Sequence, residues 1–308
     1  MKSIKIISTG KYLPEVKMNN IEFAKKMGVT EEFLVKKTGI MTRYFVEEET
    51  MEYMATKAAK NAIEKIQIST KEIDMILVAT TTSKKQIPGI SYLVQKNLEI
   101  KQGICLDILA GCSGYINALD IARNYIAIGK IKTALVVGVD ILSQVVDLKD
   151  IGSAIVLSDG AGATIIQATE EEKQYESYMV SDGMHSSILT CSSDRKLYMD
   201  GKAIYKYAVT ETVNNIEILL QKAKQELKDI KWVVPHQSNL RILQSIEGRL
   251  HMENKMYINI DQVGNTFCAS IPIAIEDMME QQLLENKDKI ILLGYGGGLN
   301  TGSILLEI

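Results

Sequence analysis

Three residues of this chain could together carry out chemistry on acyl groups. Cys112 lies between an apolar run and a segment with the pattern of an apolar helix, His236 opens a polar loop after a strand-like run, and Asn265 follows Gly264 beyond a third such run. A cysteine thiolate attacks carbonyl carbons, and uncharged imidazole and carboxamide groups can donate hydrogen bonds to an oxygen that gains negative charge. These residue types are therefore the parts of a thiol enzyme that handles acyl groups.

The surroundings of Cys112 separate it from the other three cysteines, which we interpret as structural. A free cysteine is ordinarily a small buried hydrophobic residue. Gly111 and Gly114 flank Cys112 and allow a sharp turn between strand and helix. The dipole and the unpaired amides of a helix N-terminus favour thiolate, and the sequence has no acidic or basic residue close by. We therefore predict that the helix dipole alone activates Cys112.

His236 and Asn265 are weaker signals when each is taken alone. A single histidine between apolar runs is usually a core residue, and Gly264-Asn265 is a common turn pair. The position of His236 at a strand end, before Gln-Ser-Asn, favours a functional role. The Gly-rich loop 294–298 leads into a strand and not a helix, which argues against nucleotide binding and favours amides that contact an oxyanion.

Composition excludes several other functions. Of the 308 residues, 46% are hydrophobic and 24% are charged, a composition typical of a soluble globular protein. The length is sufficient for two halves. A net charge of −3 argues against a nucleic-acid partner. The spacing of cysteines and histidines suggests no metal site and no disulfide framework. We find no signal peptide and no membrane span, and a cytoplasmic location suits a free thiol.

An internal repeat predicts the fold class. Strand-like runs at 76–80 and 135–139 recur 156 residues later, at 232–236 and 291–295, and Cys112 falls opposite Cys268 at the same offset. Helices are predicted at 113–127 and 269–284 in the middle of the halves, and at 50–65 and 217–228 on the outside. Closing strands are predicted at 162–166 and 302–306. The pattern predicts an α/β protein made of two pseudo-twofold-related halves that share one core.

The chain resembles β-ketoacyl-acyl-carrier-protein synthase III, a family of thiolase-fold condensing enzymes. The resemblance runs over nearly the whole chain and is carried by short segments, at 10–14, 37–40 with Arg43, 79–82, 111–115, 158–163, 236–241, 264–266 and 296–298. It implies a thiolase-like five-layered αβαβα fold, with an N-terminal half (1–167) that carries the cysteine and a C-terminal half (168–308) that carries the histidine and the asparagine.

The resemblance also implies a mechanism. Cys112 accepts an acyl primer from a coenzyme A or carrier-protein thioester, with the backbone amides of Cys112 and Gly297 as oxyanion hole. A malonyl-carrier-protein thioester then loses carbon dioxide, His236 and Asn265 donate to its enolate, and the enolate carbon attacks the acyl group. The family further implies a homodimer, no cofactor beyond the thioesters, and a docking face for the acidic acyl-carrier protein at Lys206, Arg241 and Arg249.

Four positions differ from the family pattern at the expected substrate site. Phe33 and Ile151 stand where a Trp and an Arg commonly stack on the coenzyme A adenine, and Lys37 stands where an Arg is usual. Ile87 replaces a common Phe that the partner subunit contributes to the primer pocket. These differences leave two alternatives open: a primer that arrives on a carrier protein, or an acyltransferase of specialised metabolism that uses an acceptor other than malonate. A non-catalytic subunit on the same fold is a third alternative, against which the intact Cys-His-Asn set counts.

Overall fold

The computed structural model describes residues 2–191 and 196–308. Its strands are β1 (Ser3–Tyr12), β2 (Val16–Asn19), β3 (Thr42–Phe45), β4 (Met75–Ala79), β5 (Ile104–Ile108), β6 (Thr133–Asp140), β7 (Gly160–Thr169), β8 (Tyr175–Ser181), β9 (Leu189–Cys191), β10 (Leu197–Met199), β11 (Trp232–Pro235), β12 (Lys289–Gly296) and β13 (Asn300–Glu307). Its α-helices are α1 (Asn20–Met27), α2 (Glu31–Thr38), α3 (Met51–Ile66), α4 (Ile90–Asn97), α5 (Gly114–Ala127), α6 (Ile151–Ala154), α7 (Gly201–Ala223), α8 (Leu240–Leu250), α9 (Ile260–Val263) and α10 (Ser270–Glu280).

The first sheet has the strand order β1-β7-β6-β4-β5. Strand β4 pairs in parallel with β5 and β6, whereas β7 runs antiparallel to both β6 and β1. Every residue of β4 and β6 is buried, as continuous apolar strands require in a sheet that is covered on both faces. The strands predicted at 76–80, 135–139 and 162–166 are confirmed as β4, β6 and β7.

The second sheet repeats this topology. Its order is β11-β12-β13-β8, with β11 parallel to β12 and with antiparallel pairing between β12 and β13 and between β13 and β8. Strands β4, β6, β7 and β1 therefore correspond to β11, β12, β13 and β8 in both order and direction. The predicted pseudo-twofold relation is confirmed, and β5 is an additional strand at the edge of the first sheet.

Two helices occupy the layer between the sheets. Helix α5 packs on β4 and β6 of the first sheet and on β12 and β13 of the second, and α10 packs on β1 and β7 of the first sheet and on β11 of the second. Helices α3 and α4 cover the outer face of the first sheet, and α7 and α8 cover the outer face of the second. The predicted five-layered αβαβα arrangement is confirmed. In the described part of the chain, no helix has the length and apolar character that crossing a membrane would take.

One outer helix differs from its prediction at both ends. Helix α7 begins at Gly201 because the Asp200 carboxylate caps its first turn, accepting the N–H groups of Lys202 and Ala203 at 3.0 and 3.1 Å. It ends at Ala223, where Lys224 takes a left-handed conformation with φ of 53°. The helix predicted at 217–228 is therefore wrong in its bounds, and the additional N-terminal turns lie beside the site described below.

The boundary between the halves stays a prediction. The predicted division into 1–167 and 168–308 falls inside β7, which runs to Thr169 in the first sheet, while β8 starts at Tyr175 in the second. We propose that the halves meet in the connection between these two strands.

Candidate active site

Cys112 lies where the chain turns from the edge strand β5 into the central helix α5. Gly111 has a φ of +58°, and a Cβ atom there would overlap the carbonyl oxygen of Gly297, so this turn requires glycine. The Gly111 carbonyl accepts the N–H of Gly114, the first residue of α5, at 3.0 Å. The thiol therefore precedes the helix by two residues, and Cys112 is 4% exposed.

The thiol of Cys112 is not activated as the sequence predicts. Burial raises its pKa to about 12, the Asp140 carboxylate adds to that rise, and the backbone amides of Gly297 and of Cys112 itself lower it. A helix dipole is worth about 0.3–2 kcal/mol, or roughly one pH unit, which is too little to offset this burial. The prediction of a dipole-activated thiolate is wrong because burial raises the pKa of the thiol, and the predicted absence of an acidic neighbour is wrong because the fold brings Asp140 close to the cysteine.

The raised pKa of the Cys112 thiol predicts how its alkylation depends on pH. Because only the thiolate reacts, the rate of Cys112 alkylation by iodoacetamide should rise about tenfold per pH unit from pH 7 to 10, with no plateau below the pKa. Intact mass spectrometry follows the label, and Cys112→Ala corrects for the exposed Cys191. A rate that levels off below pH 8 would show a thiolate that is stable in the resting enzyme.

Asp140, at the end of β6, is a residue of the site that sequence reasoning missed. Its fully buried carboxylate accepts the N–H groups of Thr81 and Thr82 at 2.8 and 3.0 Å and the N–H of Cys268 at 3.0 Å. The hydroxyls of Thr80 and Thr82 donate to it as well, at 3.0 and 2.8 Å. Burial raises the pKa of Asp140, and the hydrogen bonds from these donors lower it by less than burial raises it. This carboxylate therefore ties the 80–82 loop of the first half to the start of α10 in the second.

His236 follows β11 directly and is buried and uncharged. Its backbone N–H donates to the Leu293 carbonyl at 2.7 Å, and its ring nitrogen Nδ1 lies 2.7 Å from the Ser270 hydroxyl. The ring packs against the aromatic rings of Tyr295 and Phe267, with centroids 5.4 and 6.5 Å away. Burial lowers the pKa of His236 to about 3, so the imidazole is neutral at physiological pH.

The Asn265 side chain is oriented by its own segment. Its main chain exchanges hydrogen bonds with the loop before β7, from Asn265 N–H to the Val156 carbonyl at 3.1 Å and from Ser158 N–H to the Asn265 carbonyl at 3.0 Å. The N–H of Phe267 donates to Oδ1 at 3.0 Å, which fixes Oδ1 as the acceptor end of the amide. The Nδ2 group makes only a long contact, 3.4 Å to the Ser238 carbonyl, and is therefore the end available to a ligand.

The three predicted residues meet at one small cavity. This central cavity has a volume of about 50 Å³, and Cys112, His236 and Asn265 all line it. An outer cavity of about 800 Å³ shares Asn265 with it, and an inner cavity of about 460 Å³ shares Cys112. The thiol thus lies between two larger spaces, one on the side of Asn265 and the other bounded by residues such as Thr81, Leu189 and Phe267.

The predicted substrate-binding residues divide into two groups. Exposed Lys37 lines the outer cavity with its ammonium nitrogen 5.8 Å from the ring centroid of Phe33, and Gly152, the neighbour of Ile151, lines the same cavity. Ile87 is 93% exposed, and it does not line the outer, central or inner cavity. Lys37 and Phe33 therefore lie together at the outer cavity, Ile151 is adjacent in sequence to a residue that lines it, and neither Phe33 nor Ile151 lines the cavity itself.

The predicted docking residues lie on the two outer helices of the second half. Arg241 is in the first turn of α8 and lines the outer cavity, Lys206 is on α7, and Arg249 is in the last turn of α8. All three are exposed. Lys202 also lines the outer cavity and was missed, because the predicted helix began after it. With α7 starting at Gly201, the i, i+4 spacing places Lys202 and Lys206 on one helix face.

Within the described ranges, no group of three or more His, Cys, Asp or Glu side chains could hold a metal ion. The groups that line the central cavity include a thiol, an imidazole and a carboxamide, which suit covalent acyl transfer.

Two related halves in five layers, with a thiol at the start of a central helix, define a thiolase-fold condensing enzyme, which is an acyltransferase. The models of the N-terminal and C-terminal parts of 3-oxoacyl-[acyl-carrier-protein] synthase III match residues 106–195 and 220–308. The chain belongs to the β-ketoacyl-acyl-carrier-protein synthase III family. The β-ketoacyl-[acyl-carrier-protein] synthase III of Clostridium tetani is 36% identical, with 99% of this chain and 98% of that protein covered.

Solved structures agree with this assignment. The crystal structure of 3-oxoacyl-[acyl-carrier-protein] synthase III from Aquifex aeolicus superposes with a TM-score of 0.97 at 36% identity and covers 99% of this chain and 100% of its own. The priming β-ketosynthase of the R1128 polyketide pathway superposes with a TM-score of 0.94 at 28% identity and covers 99% and 96%. The similarity therefore extends to enzymes named 3-oxoacyl-[acyl-carrier-protein] synthase III and to one named as the priming β-ketosynthase of a polyketide pathway.

Proposed function

We propose that this chain condenses an acyl primer with a malonyl-carrier-protein thioester, the initiating step of fatty acid or related polyketide biosynthesis. One observation carries the proposal: a nucleophile, a neutral histidine and a correctly oriented carboxamide line one cavity between two larger ones. The outer cavity would admit the thioester arm, and the inner cavity would hold the acyl chain.

In the first half-reaction, Cys112 attacks the carbonyl carbon of the primer thioester. The raised pKa of its thiol calls for a proton acceptor, and neutral His236 is the candidate at the same cavity. The amides of Gly297 and Cys112 already act on the sulfur, and we assign to them the oxyanion of the tetrahedral intermediate. The carbon–sulfur bond of the primer then breaks, its thiol leaves with the proton, and an acyl-cysteine remains.

In the second half-reaction, the malonyl thioester loses carbon dioxide and leaves an enolate. Its oxygen needs donors without negative charge, and we assign this role to the Nδ2 group of Asn265, which makes only a long bond to the Ser238 carbonyl, and to His236. The enolate carbon attacks the acyl-cysteine, a carbon–carbon bond forms, and the Cys112 thiolate leaves and takes up a proton. The product is a β-ketoacyl thioester on the carrier protein.

We infer that the outer cavity receives the pantetheine arm and that its basic rim receives the carrier. Lys37, Lys202 and Arg241 line the cavity, and Lys206 and Arg249 extend the positive charge along α7 and α8. Charge complementarity of this kind mainly increases the rate at which the carrier protein associates with the enzyme. The charge reversal Arg241→Glu should therefore raise KM for the carrier thioester and leave kcat nearly unchanged. An unchanged KM would remove Arg241 from the docking face.

We also propose a homodimer that pairs through the edge of the first sheet. Strand β5 is an edge strand, and Ile104, Leu106, Leu109 and Ile87 expose apolar surface in this part of the molecule, which a monomer would leave open to aggregation. Ile87 would then reach the primer pocket of the other copy. A sedimentation mass of one chain would contradict this proposal.

The compartment and the cofactor requirement remain proposals of the same kind. All four cysteines of the chain are free, and a free nucleophilic thiol suits a reducing, cytoplasmic compartment. Every step above uses only the thioester substrates and the groups of the chain, so we expect turnover in the presence of EDTA without added cofactor.

The decisive experiment separates the two half-reactions. Incubation with a panel of acyl thioesters, on coenzyme A and on carrier protein, should add one acyl mass to Cys112, and malonyl-carrier protein should then release a β-ketoacyl product. Acyl-enzyme that turns over only with an amine, alcohol or other carbon acceptor would favour the acyltransferase of specialised metabolism, which the altered Phe33 and Ile151 positions motivate. No labelling of Cys112 by any thioester would favour a non-catalytic subunit.

A further inference from the structure

Ser270, the first residue of α10, lies between His236 and a backbone carbonyl. Its hydroxyl oxygen is 2.7 Å from His236 Nδ1 and 2.8 Å from the carbonyl oxygen of Phe267, and the residue is buried. A hydroxyl carries one hydrogen, and a carbonyl can only accept. When the hydrogen lies on the bond to Phe267, the serine oxygen must accept from His236, so Nδ1 carries the imidazole proton.

The two bonds together favour this arrangement. With the proton on Nδ1, both the Nδ1–H to Ser270 and the Ser270 to Phe267 hydrogen bonds form. With the proton on Nε2, the serine hydroxyl must turn to Nδ1, and only one of the two bonds remains. The first tautomer therefore keeps one more buried hydrogen bond, which is worth up to about tenfold in population.

The same short segment orients the other neutral group. The N–H of Phe267 fixes Oδ1 of Asn265, and the carbonyl of Phe267, acting through Ser270, fixes the ring of His236. Phe267 holds a φ of +48°, a left-handed conformation that few non-glycine residues adopt. One turn of backbone therefore sets both partners of Cys112.

We propose that Ser270 is a positioning residue that sets the tautomer of His236, with Nδ1 protonated and Nε2 free to accept the proton of Cys112. This inference rests on the proposed function and specifies its first half-reaction. The S–H bond of Cys112 breaks as an N–H bond forms at Nε2, and the sulfur bonds to the acyl carbon. The primer's carbon–sulfur bond then breaks, and the Nε2 proton passes to the leaving thiolate. Throughout, Ser270 accepts from Nδ1–H of the transient imidazolium.

Serine also suits the second half-reaction, in which His236 must donate from Nε2. For this step the imidazole takes a proton from solvent at Nε2 and gives its Nδ1 proton back to solvent. The hydroxyl then turns to donate to Nδ1, and the Phe267 carbonyl keeps the backbone N–H of Ser270 as a donor. A carbonyl in place of the hydroxyl would support only one tautomer, and an alanine would support neither.

The first test reads the tautomer directly in the active wild-type enzyme. NMR of protein labelled with 15N in histidine distinguishes protonated from unprotonated ring nitrogens, and His236→Gln assigns the signals against the exposed His185 and His251. We expect Nδ1 of His236 to be the protonated nitrogen, and Ser270→Ala to lose that preference. A resting enzyme with its proton on Nε2 would overturn the proposal.

The second test measures the half-reactions in variants. Ser270→Ala should slow acyl-enzyme formation by about 10- to 100-fold, because misdirected proton transfer forfeits part of the general-base contribution. Ser270→Thr keeps the hydroxyl and should recover most of that loss, with thermal melts confirming that both variants fold. Acylation of Ser270→Ala at the wild-type rate would overturn the proposal. Failure of the wild-type enzyme to acylate Cys112 would instead refute the proposed function, and the NMR measurement would still report the tautomer.

Discussion

Replacing Asn265 by Asp should block condensation and spare acylation. Aspartate has the same shape and keeps the oxygen that accepts the Phe267 N–H, so the local backbone should persist. It exchanges the Nδ2 donor for a negative oxygen at the position that we assign to the developing enolate. Losing one oxyanion donor costs about 10²–10³ in rate, and the repulsion adds to that loss, so we expect condensation to fall by at least about 10³-fold.

Asn265→Ala is the matched control, since it removes the donor without adding charge. The expected order of condensation rates is Asn, then Ala, then Asp, while the rate of acyl-enzyme formation stays within about fivefold for all three. Intact mass spectrometry measures the acyl-enzyme, and carbon dioxide release from malonyl-carrier protein measures the second half-reaction. Equal condensation rates for Ala and Asp would show that no negative charge develops beside residue 265.

The fold was predictable because the apolar runs of the first half recur in the second half at a fixed offset. Strands such as β4 and β6 are buried throughout and have apolar central runs, and their counterparts β11 and β12 recur at a fixed offset. Helix α7 was placed wrongly because its start depends on a cap at Asp200, which charge counting does not detect. The division at 167 stays a prediction, because the connection between β7 and β8 carries no sequence signal that marks a boundary.

Site residues that follow the end of a strand were predictable from the sequence. Site residues that act through contacts with residues distant in sequence were not. Cys112 comes four residues after the end of β5, His236 comes directly after β11, and both line the central cavity. Ser270 touches His236 from 34 positions away, and no motif in the sequence marks that contact. The pKa of Cys112 also could not be predicted from the sequence. The sequence predicts the helix and therefore its dipole, whereas the thiol becomes buried only when the layers of the fold pack together.

These contacts change the account of how the thiol reacts. Activation by a helix dipole would give a thiolate that is already present in the resting enzyme. The buried thiol instead has a pKa of about 12, so it must lose its proton as it attacks the substrate. His236 is uncharged, buried and held by Ser270, so it is placed to take that proton. Reactivity then depends on the alignment of the partners of Cys112, and small displacements of the sulfur should be costly.

Replacing Gly296 by Ala should produce such a displacement. A Cβ atom at position 296 would lie 2.8 Å from Cβ, 2.9 Å from Sγ and 3.0 Å from the backbone nitrogen of Cys112, which is too close for carbon. Cys112 must then move, since a rigid strand carries Gly296. A shift of about 1 Å at a reacting atom costs on the order of 10²-fold, so acylation should fall by about that factor or more.

The adjacent glycine provides a matched comparison. A Cβ atom at Gly297 would meet the flexible side chain of Leu189 at 3.3 and 3.4 Å and the Leu189 carbonyl oxygen at an ordinary 3.7 Å, and the backbone N–H of residue 297 would remain. Gly297→Ala should therefore lose far less acylation than Gly296→Ala, although both add one methyl group to the same loop. Single-turnover acylation with a chosen acyl thioester measures both rates, and thermal melts compare the stability of the two variants. Similar losses in the two variants would mean that the loop as a whole, and not the contact with the sulfur, controls the rate.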